Sequence, residues 1–242
     1  MGKYLYGKYK NLEKFLHKGE HLRLTDIYYF KELENELIRD DESKRTYLHT
    51  PSNIGLLKIG DHEIKIADIR EIEISIPTRR AHVLCLSNKG NSPELFERFK
   101  ADICIEIDVE FLIEIIKTGF FNIGAPVEVV GSDVEYFKID SKEMTTDRKK
   151  LVFCKNYEAF HIEDEYRIAI FYPGDDKSAF LDDKGNKERI FGEYNYIKIG
   201  SDDKDDMKKV IVSAIRSDGT LISYTKPIYP NSTPKDVDCT AY

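Results

Sequence analysis

Two runs of this 242-residue chain read most clearly as strands, the first of them continuously apolar. They are residues 81–87 (Ala-His-Val-Leu-Cys-Leu-Ser) and 165–172 (Glu-Tyr-Arg-Ile-Ala-Ile-Phe-Tyr). A half-wet strand alternates apolar and polar residues, so a continuous run must be covered on both sides. The first run therefore predicts a central strand, and the second the clearest strand late in the chain. Shorter runs suit flanking strands: 3–9, 21–25, 103–107, 194–199, 210–215, 221–224, and Ile72, Ile74 and Ile76 alternating with Glu71, Glu73 and Ser75. Gly60-Asp61-His62 sits between runs 56–59 and 63–66, and Gly131-Ser132-Asp133 between 127–130 and 134–139. Each reads as a hairpin turn.

Helical signals are few. Asn11 is placed to cap a helix through Lys18, with Leu12, Phe15 and Leu16 on one face and Gly19 as its stop. Residues 29–44 form the longest helical pattern, with Phe30, Leu33, Leu37 and Ile38 as its buried stripe. Ser92-Pro93 opens a short helix through Phe99, and Asp108 caps one ending before Gly119. The acidic run 202–206 reads as a solvated loop. No repeat or Pro/Gly-rich linker divides the chain. The expectation is one α+β domain over residues 1–242, rich in strands.

A net charge of −7 argues against a general grip on DNA, which needs clustered Lys and Arg. Cys85, Cys104 and Cys154 lie in apolar runs, and none of the four cysteines forms a C-x-x-C pair. Neither a zinc site nor a disulfide is expected. No apolar stretch approaches the ~18–20 residues of a membrane span, and the first residues lack a secretory apolar core. A reducing cytoplasm is the expected compartment, with no membrane partner.

The nucleophile-elbow, P-loop, zincin and dinucleotide-fold motifs are absent. His82, inside an apolar run, reads as a satisfied core residue. Asp61, Glu63 and Lys65 alternate and share a face, so they offer either a divalent-metal nuclease fragment or an ordinary solvated face. Glu163 and Glu165 flank Asp164. If the segment is extended, both carboxylates fall on one side. They then either share work on an oxocarbenium-like sugar carbon or stay solvated, with Arg167 paired to one of them.

Four stretches resemble the bacterial and phage domain-of-unknown-function family 2971. They are Lys8-Tyr9-Lys10 with the following Asn11-Leu12-Glu13-Lys14-Phe15-Leu16; Leu22-Arg23-Leu24-Thr25 with Tyr29-Phe30; Val83-Leu84-Cys85-Leu86-Ser87 with Ile103-Cys104-Ile105-Glu106-Ile107-Asp108; and Lys155 and Tyr157 with Glu163-Asp164-Glu165-Tyr166-Arg167. That family in turn resembles the ADP-ribosyltransferase superfamily. The resemblance implies a split β-sheet core with a few peripheral helices, clamping NAD as substrate. It implies a first-strand basic residue at Lys10 or Lys8 beside Tyr9, and a ribose-pocket hydroxyl at Thr25. Tyr29 and Phe30 would face the nicotinamide. Glu165 would be the catalytic carboxylate, assisted by Glu163.

Two functions follow as expectations. One is NAD-dependent transfer of ADP-ribose to a protein or nucleic acid in bacterial or phage conflict. The other is a non-catalytic module on the same fold that recognises a nucleotide, a nucleic acid or a protein. Under the first, Glu165→Gln is expected to slow the reaction by on the order of 10²–10³. A carboxylate at a cleft edge is also expected to leave folding nearly intact when replaced.

Overall fold

The computed structural model describes residues 2–32, 40–49, 57–59, 62–64, 71–141, 145–173, 179–181, 187–189, 196–201 and 203–222. The chain opens with β1 (Lys3–Gly7), α1 (Tyr9–Lys18), β2 (Leu22–Asp26) and a 3-10 turn at Ile27–Glu32. Next come β3 (Lys44–His49), β4 (Leu57–Ile59), β5 (His62–Ile64), β6 (Ile72–Pro77) and β7 (His82–Ser87). They lead to α2 (Pro93–Arg98), β8 (Ile103–Ile107), α3 (Val109–Asn122), β9 (Glu128–Asp133) and β10 (Glu135–Phe137). A 3-10 turn at Lys150–Phe153 precedes β11 (Cys154–Asn156), α4 (Tyr157–Phe160), a second turn at His161–Glu163, and β12 (Glu165–Phe171). The described residues end with β13 (Ala179–Leu181), β14 (Lys187–Arg189), β15 (Tyr196–Ile199), α5 (Lys204–Lys209), β16 (Ile211–Arg216) and β17 (Leu221–Ile222).

The continuously apolar run and the late strand run are neighbours at the centre. β7 and β12 pair antiparallel from Glu165↔Ser87 to Ile170↔His82, and β9 lines the far edge of β12. The other edge of β7 divides. Thr25 and Asp26 of β2 pair with Val83 and His82 at one end, and Tyr4 of β1 pairs with Ser87 at the other. Away from β7, β2 pairs with β15, while β1 joins β8, β16 and β17. Among the described residues, Leu84, Cys85 and Leu86 therefore have no strand partner on that edge. The result is a mixed α/β protein with a large antiparallel sheet and a few helices. Separate two-stranded ladders join β3 with β6, β10 with β11, and β13 with β14.

Register assigns each side chain to a face. Leu24, Leu84, Leu86, Ile105, Ile168 and Ile170 face α1, α3 and α5, meeting Phe15, Leu16, Leu112, Ile116 and Met207. On the opposite face Val83, Ala169 and Phe171 pack under the 3-10 turns through Ile27, Val152 and Phe153. Tyr4 and Tyr6 pack under α2 with Phe96 and Phe99. A gap remains on this face between the last two clusters, where β1 and β2 part.

Several expected elements differ. α1 begins at Tyr9, because the Asp102 carboxylate accepts the Tyr9 N–H and caps the helix from a distant loop, leaving Asn11 inside the helix. Asp108 caps α3 as expected, its carboxylate accepting the Phe111 N–H at 3.2 Å, but the helix runs through Gly119 to Asn122. Burying Phe120 stabilises by about 1.5–3 kcal/mol, more than the ~1 kcal/mol a helical glycine costs.

Gly131-Ser132-Asp133 is no turn. It is extended in β9 opposite Ile168, Arg167 and Tyr166, and β10 pairs parallel with β11 instead. The glycine serves close approach, since a β-carbon there would overlap the Tyr166 hydroxyl. The acidic run enters α5, where the Asp205 N–H donates to the Asp203 side chain at 2.9 Å and caps the helix. Buried Met207 anchors that helix. The pattern at 29–44 gives a 3-10 turn at its start and β3 from Lys44 at its end, with residues 33–39 outside the described set. β4 and β5 pair as expected with Ile59 opposite His62, whereas Asp61, Lys65 and Cys239 lie outside the described residues.

Candidate functional site

The gap at the divided edge of β7 is a cleft of about 150 Å³. Tyr4 and Tyr6 of β1 and Phe99 after α2 line it, as does Phe30 from the turn after β2. Cys85, Leu86 and Ser87 line it from β7, and Lys155, Glu163 and Glu165 add its charges.

Both expected carboxylates are here, by an unexpected route. Glu163 ends a 3-10 turn, and Asp164 adopts the left-handed conformation at φ 43° before β12 begins. Asn88 holds that strained residue: its N–H donates to the Asp164 carbonyl at 2.8 Å and its side-chain amide to the Asp164 carboxylate at 3.1 Å. The segment is not extended. Its two carboxylates still converge on one ammonium, Lys155 Nζ, at 2.9 Å from Glu163 and 3.0 Å from Glu165.

Beneath them lies a buried ionic network. Arg167 Nε donates to Glu165 Oε1 at 2.6 Å and Nη2 to Oε2 at 3.2 Å. The same guanidinium forks onto Glu42, Nη2 to Oε1 at 2.6 Å and Nη1 to Oε2 at 2.9 Å. Nη1 also donates to the Val152 carbonyl. Arg45 binds Glu42 as well, and Arg98 Nε donates to Glu163 Oε1 at 2.8 Å. Glu42, Glu163, Glu165, Lys155 and Arg167 are all buried. Neither carboxylate is solvated, contrary to one of the sequence alternatives, and Arg167 serves two acids.

Burial alone would raise the Glu165 carboxyl. The charges of Arg167 and Lys155 overcome it and hold the group at about 2. Burial likewise favours neutral Lys155, but Glu165, Glu163 and Glu42 push its ammonium well above the usual lysine range. At neutral pH Glu165 is thus an anion with its lone pairs engaged, a poor general base. Lys155 is a fixed cation and no nucleophile. Cys85 borders the cleft half-exposed, with burial and then the Glu165 charge raising its thiol. Cys85, Cys104 and Cys154 are free thiols. His82 meets the Tyr172 hydroxyl through Nδ1 at 2.8 Å, and burial lowers its imidazole to about 4, in keeping with a core role.

The other expected site residues scatter. Phe30 borders the cleft, and Tyr29 is half-buried in the same turn. Thr25 shares the sheet face of Glu165, because Thr25 opposes Val83 and Glu165 opposes Ser87 on β7. It stands four residues along that strand, outside the cleft wall. Tyr9 and Lys10 are not beside Glu165. Tyr9 packs with the helix-side cluster on the opposite face, its ring 4.3 Å from the Arg216 guanidinium, and Lys10 is exposed on α1. The cause is the early start of α1: β1 ends at Gly7, and Lys8 is already the residue before the helix.

Glu42, Arg45 and Arg98 were missed by the sequence reading. Glu42 fell within an expected helix, and its partner Arg167 is 125 residues away. Only the topology brings them together.

No family model, curated protein or solved structure matched this chain when it was compared with them.

Proposed function

We propose that the chain is a nucleotide-binding module that grips one planar ring at the divided edge of β7 and does no chemistry on it. The observation that carries this is the closed coordination of Glu165. Both its oxygens meet Arg167, Lys155 is 3.0 Å from Oε2, and the group is buried. A catalytic carboxylate must turn lone pairs or uncompensated charge toward a sugar. This one is neutralised from below.

Size points the same way. A dry cavity of about 150 Å³ holds a benzene ring, whereas drug-sized ligands occupy ~300–1,000 Å³. The cleft, at about 150 Å³, suits one ring, with the rest of the ligand outside. Four aromatic side chains offer stacking surfaces. The unpartnered edge at residues 84–86 offers backbone donors and acceptors to the ring's polar rim. A sheet that divides around a central strand is also what the ADP-ribosyltransferase resemblance implies, and it supports that origin for the fold. Departures weigh against retained activity. Lys3 is the lone basic residue of β1, and its ammonium is engaged by Asp133 at 2.8 Å.

One observation favours the second reading, NAD-dependent ADP-ribosyl transfer to a protein or nucleic acid. Phe30, Glu163 and Glu165 border one cleft, so ring and carboxylates would meet. Calorimetric titration with NAD separates the two readings when paired with a nicotinamide-release assay. The binding module predicts saturable NAD binding, weakened about tenfold or more in Phe30→Ala through lost stacking, with no nicotinamide released. Release that disappears in Glu165→Gln would establish the transferase instead.

A further inference from the structure

We infer that Arg23 and Lys198 form an anion subsite that receives a phosphoryl group carried by the ring bound at the fork; this rests on the nucleotide-binding reading above. Their placement follows from register. Arg23 of β2 lies directly opposite Lys198 of β15, and Thr25 opposite Tyr196. Because Thr25 also opposes Val83, these residues share the sheet face of Val83, Cys85 and Glu165. Continuing the Thr25↔Val83 register sets Arg23 level with Cys85, across the divergence from Tyr4 and Tyr6. Beyond Thr25 the two strands part, so Arg23 stands farther from Cys85 than one ladder spacing of about 4.8 Å, and Lys198 one such spacing beyond Arg23. A phosphate carried one ribose away from a bound ring is directed to that side of the gap.

Two cations facing each other across a ladder repel and destabilise it. Among the described residues neither has a carboxylate partner, and both side chains are exposed. Arg23 sits over the Tyr196 ring, its guanidinium carbon 3.8 Å from the ring centre. The contact holds the guanidinium over the ring while the side chain stays exposed. A guanidinium held there beside an ammonium, with the Thr25 hydroxyl on the next pair, is the donor set for a phosphoryl oxygen cluster. By contrast, the cations under the cleft are consumed by Glu42, Glu163 and Glu165, so an anionic ligand tail finds its counter-charge here.

The test compares matched pairs of probes: adenosine with adenosine 5′-monophosphate, and nicotinamide riboside with nicotinamide mononucleotide. The 5′-phosphate is expected to tighten binding to the wild type about tenfold. Arg23→Gln with Lys198→Gln should bring that ratio close to one without changing nucleoside affinity. Lys198→Gln alone, which leaves the Tyr196 stack intact, should lower it in part and guards against a folding effect. A phosphate advantage that survives in the double variant overturns the subsite while sparing the ring site. If neither the nucleosides nor the nucleotides bind, the ring site falls and the subsite with it. An 8-mer of single-stranded DNA that outcompetes both mononucleotides would reassign the phosphate to a nucleic-acid backbone.

Discussion

Glu165 is held by charge, and its replacement is expected to be felt in stability before activity. It is buried between Arg167 and Lys155, so Glu165→Gln leaves two cations short of a partner inside the protein. Breaking a buried pair in this way costs about 3–5 kcal/mol, and the retained amide oxygen places the loss near the lower end. This reverses the expectation of a substitution harmless to folding. Urea unfolding of the variant at pH 7 measures it, and a change below about 1 kcal/mol would contradict the network. Asp40 carries the opposite sign. Its carboxylate is 3.8 Å from Arg45, and burial, then the Glu42 charge, raise it to about 6 against Arg45. The folded chain therefore holds a proton that the unfolded chain releases at lower pH, and stability falls as pH rises through about 4 to 6. Asp40→Asn should raise stability at pH 8 by on the order of 1–3 kcal/mol, with little gain at pH 4.

Elements show where local signals suffice. The Ser92 and Asp108 caps, the Gly19 stop, β7 as a central strand and β12 as a strand were legible, because each is decided by a few adjacent residues. Gly19 takes φ 62°, and a β-carbon there would overlap the Lys204 carbonyl of α5. Gly19→Ala is strained on both counts and should cost about 1–3 kcal/mol, measured as a lowered thermal midpoint; an unchanged midpoint would contradict the packing of α1 on α5. What the sequence hid was decided from afar. Asp102 caps α1 from the loop before β8, and Tyr166 crosses Gly131. Gly119 is carried into α3 by a buried Phe120. In the candidate site, Glu163, Glu165 and Phe30 were visible from pattern and resemblance. Arg98, which pairs with Glu163, and the third acid Glu42 with its partner Arg45 were not, because no spacing rule links Glu163 and Arg167 to residues they meet only through the fold.

At the scale of the molecule, a divided sheet edge above a neutralised ionic network explains both where a ligand would sit and why acid should undo the fold. Glu165, held at about 2 when folded against 4.5 when free, contributes stability that is full above about pH 4.5 and lost as pH falls toward 2. Glu42 is shifted in the same direction by Arg167 and Arg45. Acid unfolding monitored by circular dichroism should therefore be steep across that window, and displaced upward in Glu165→Gln. The most direct test of the ring-binding, non-reacting cleft is a proton NMR time course of NAD with the protein. The account predicts reversible broadening of a ring's signals, relieved by Phe30→Ala, and no accumulation of free nicotinamide. Unchanged ring signals, or nicotinamide appearing only with an intact Glu165, would contradict it.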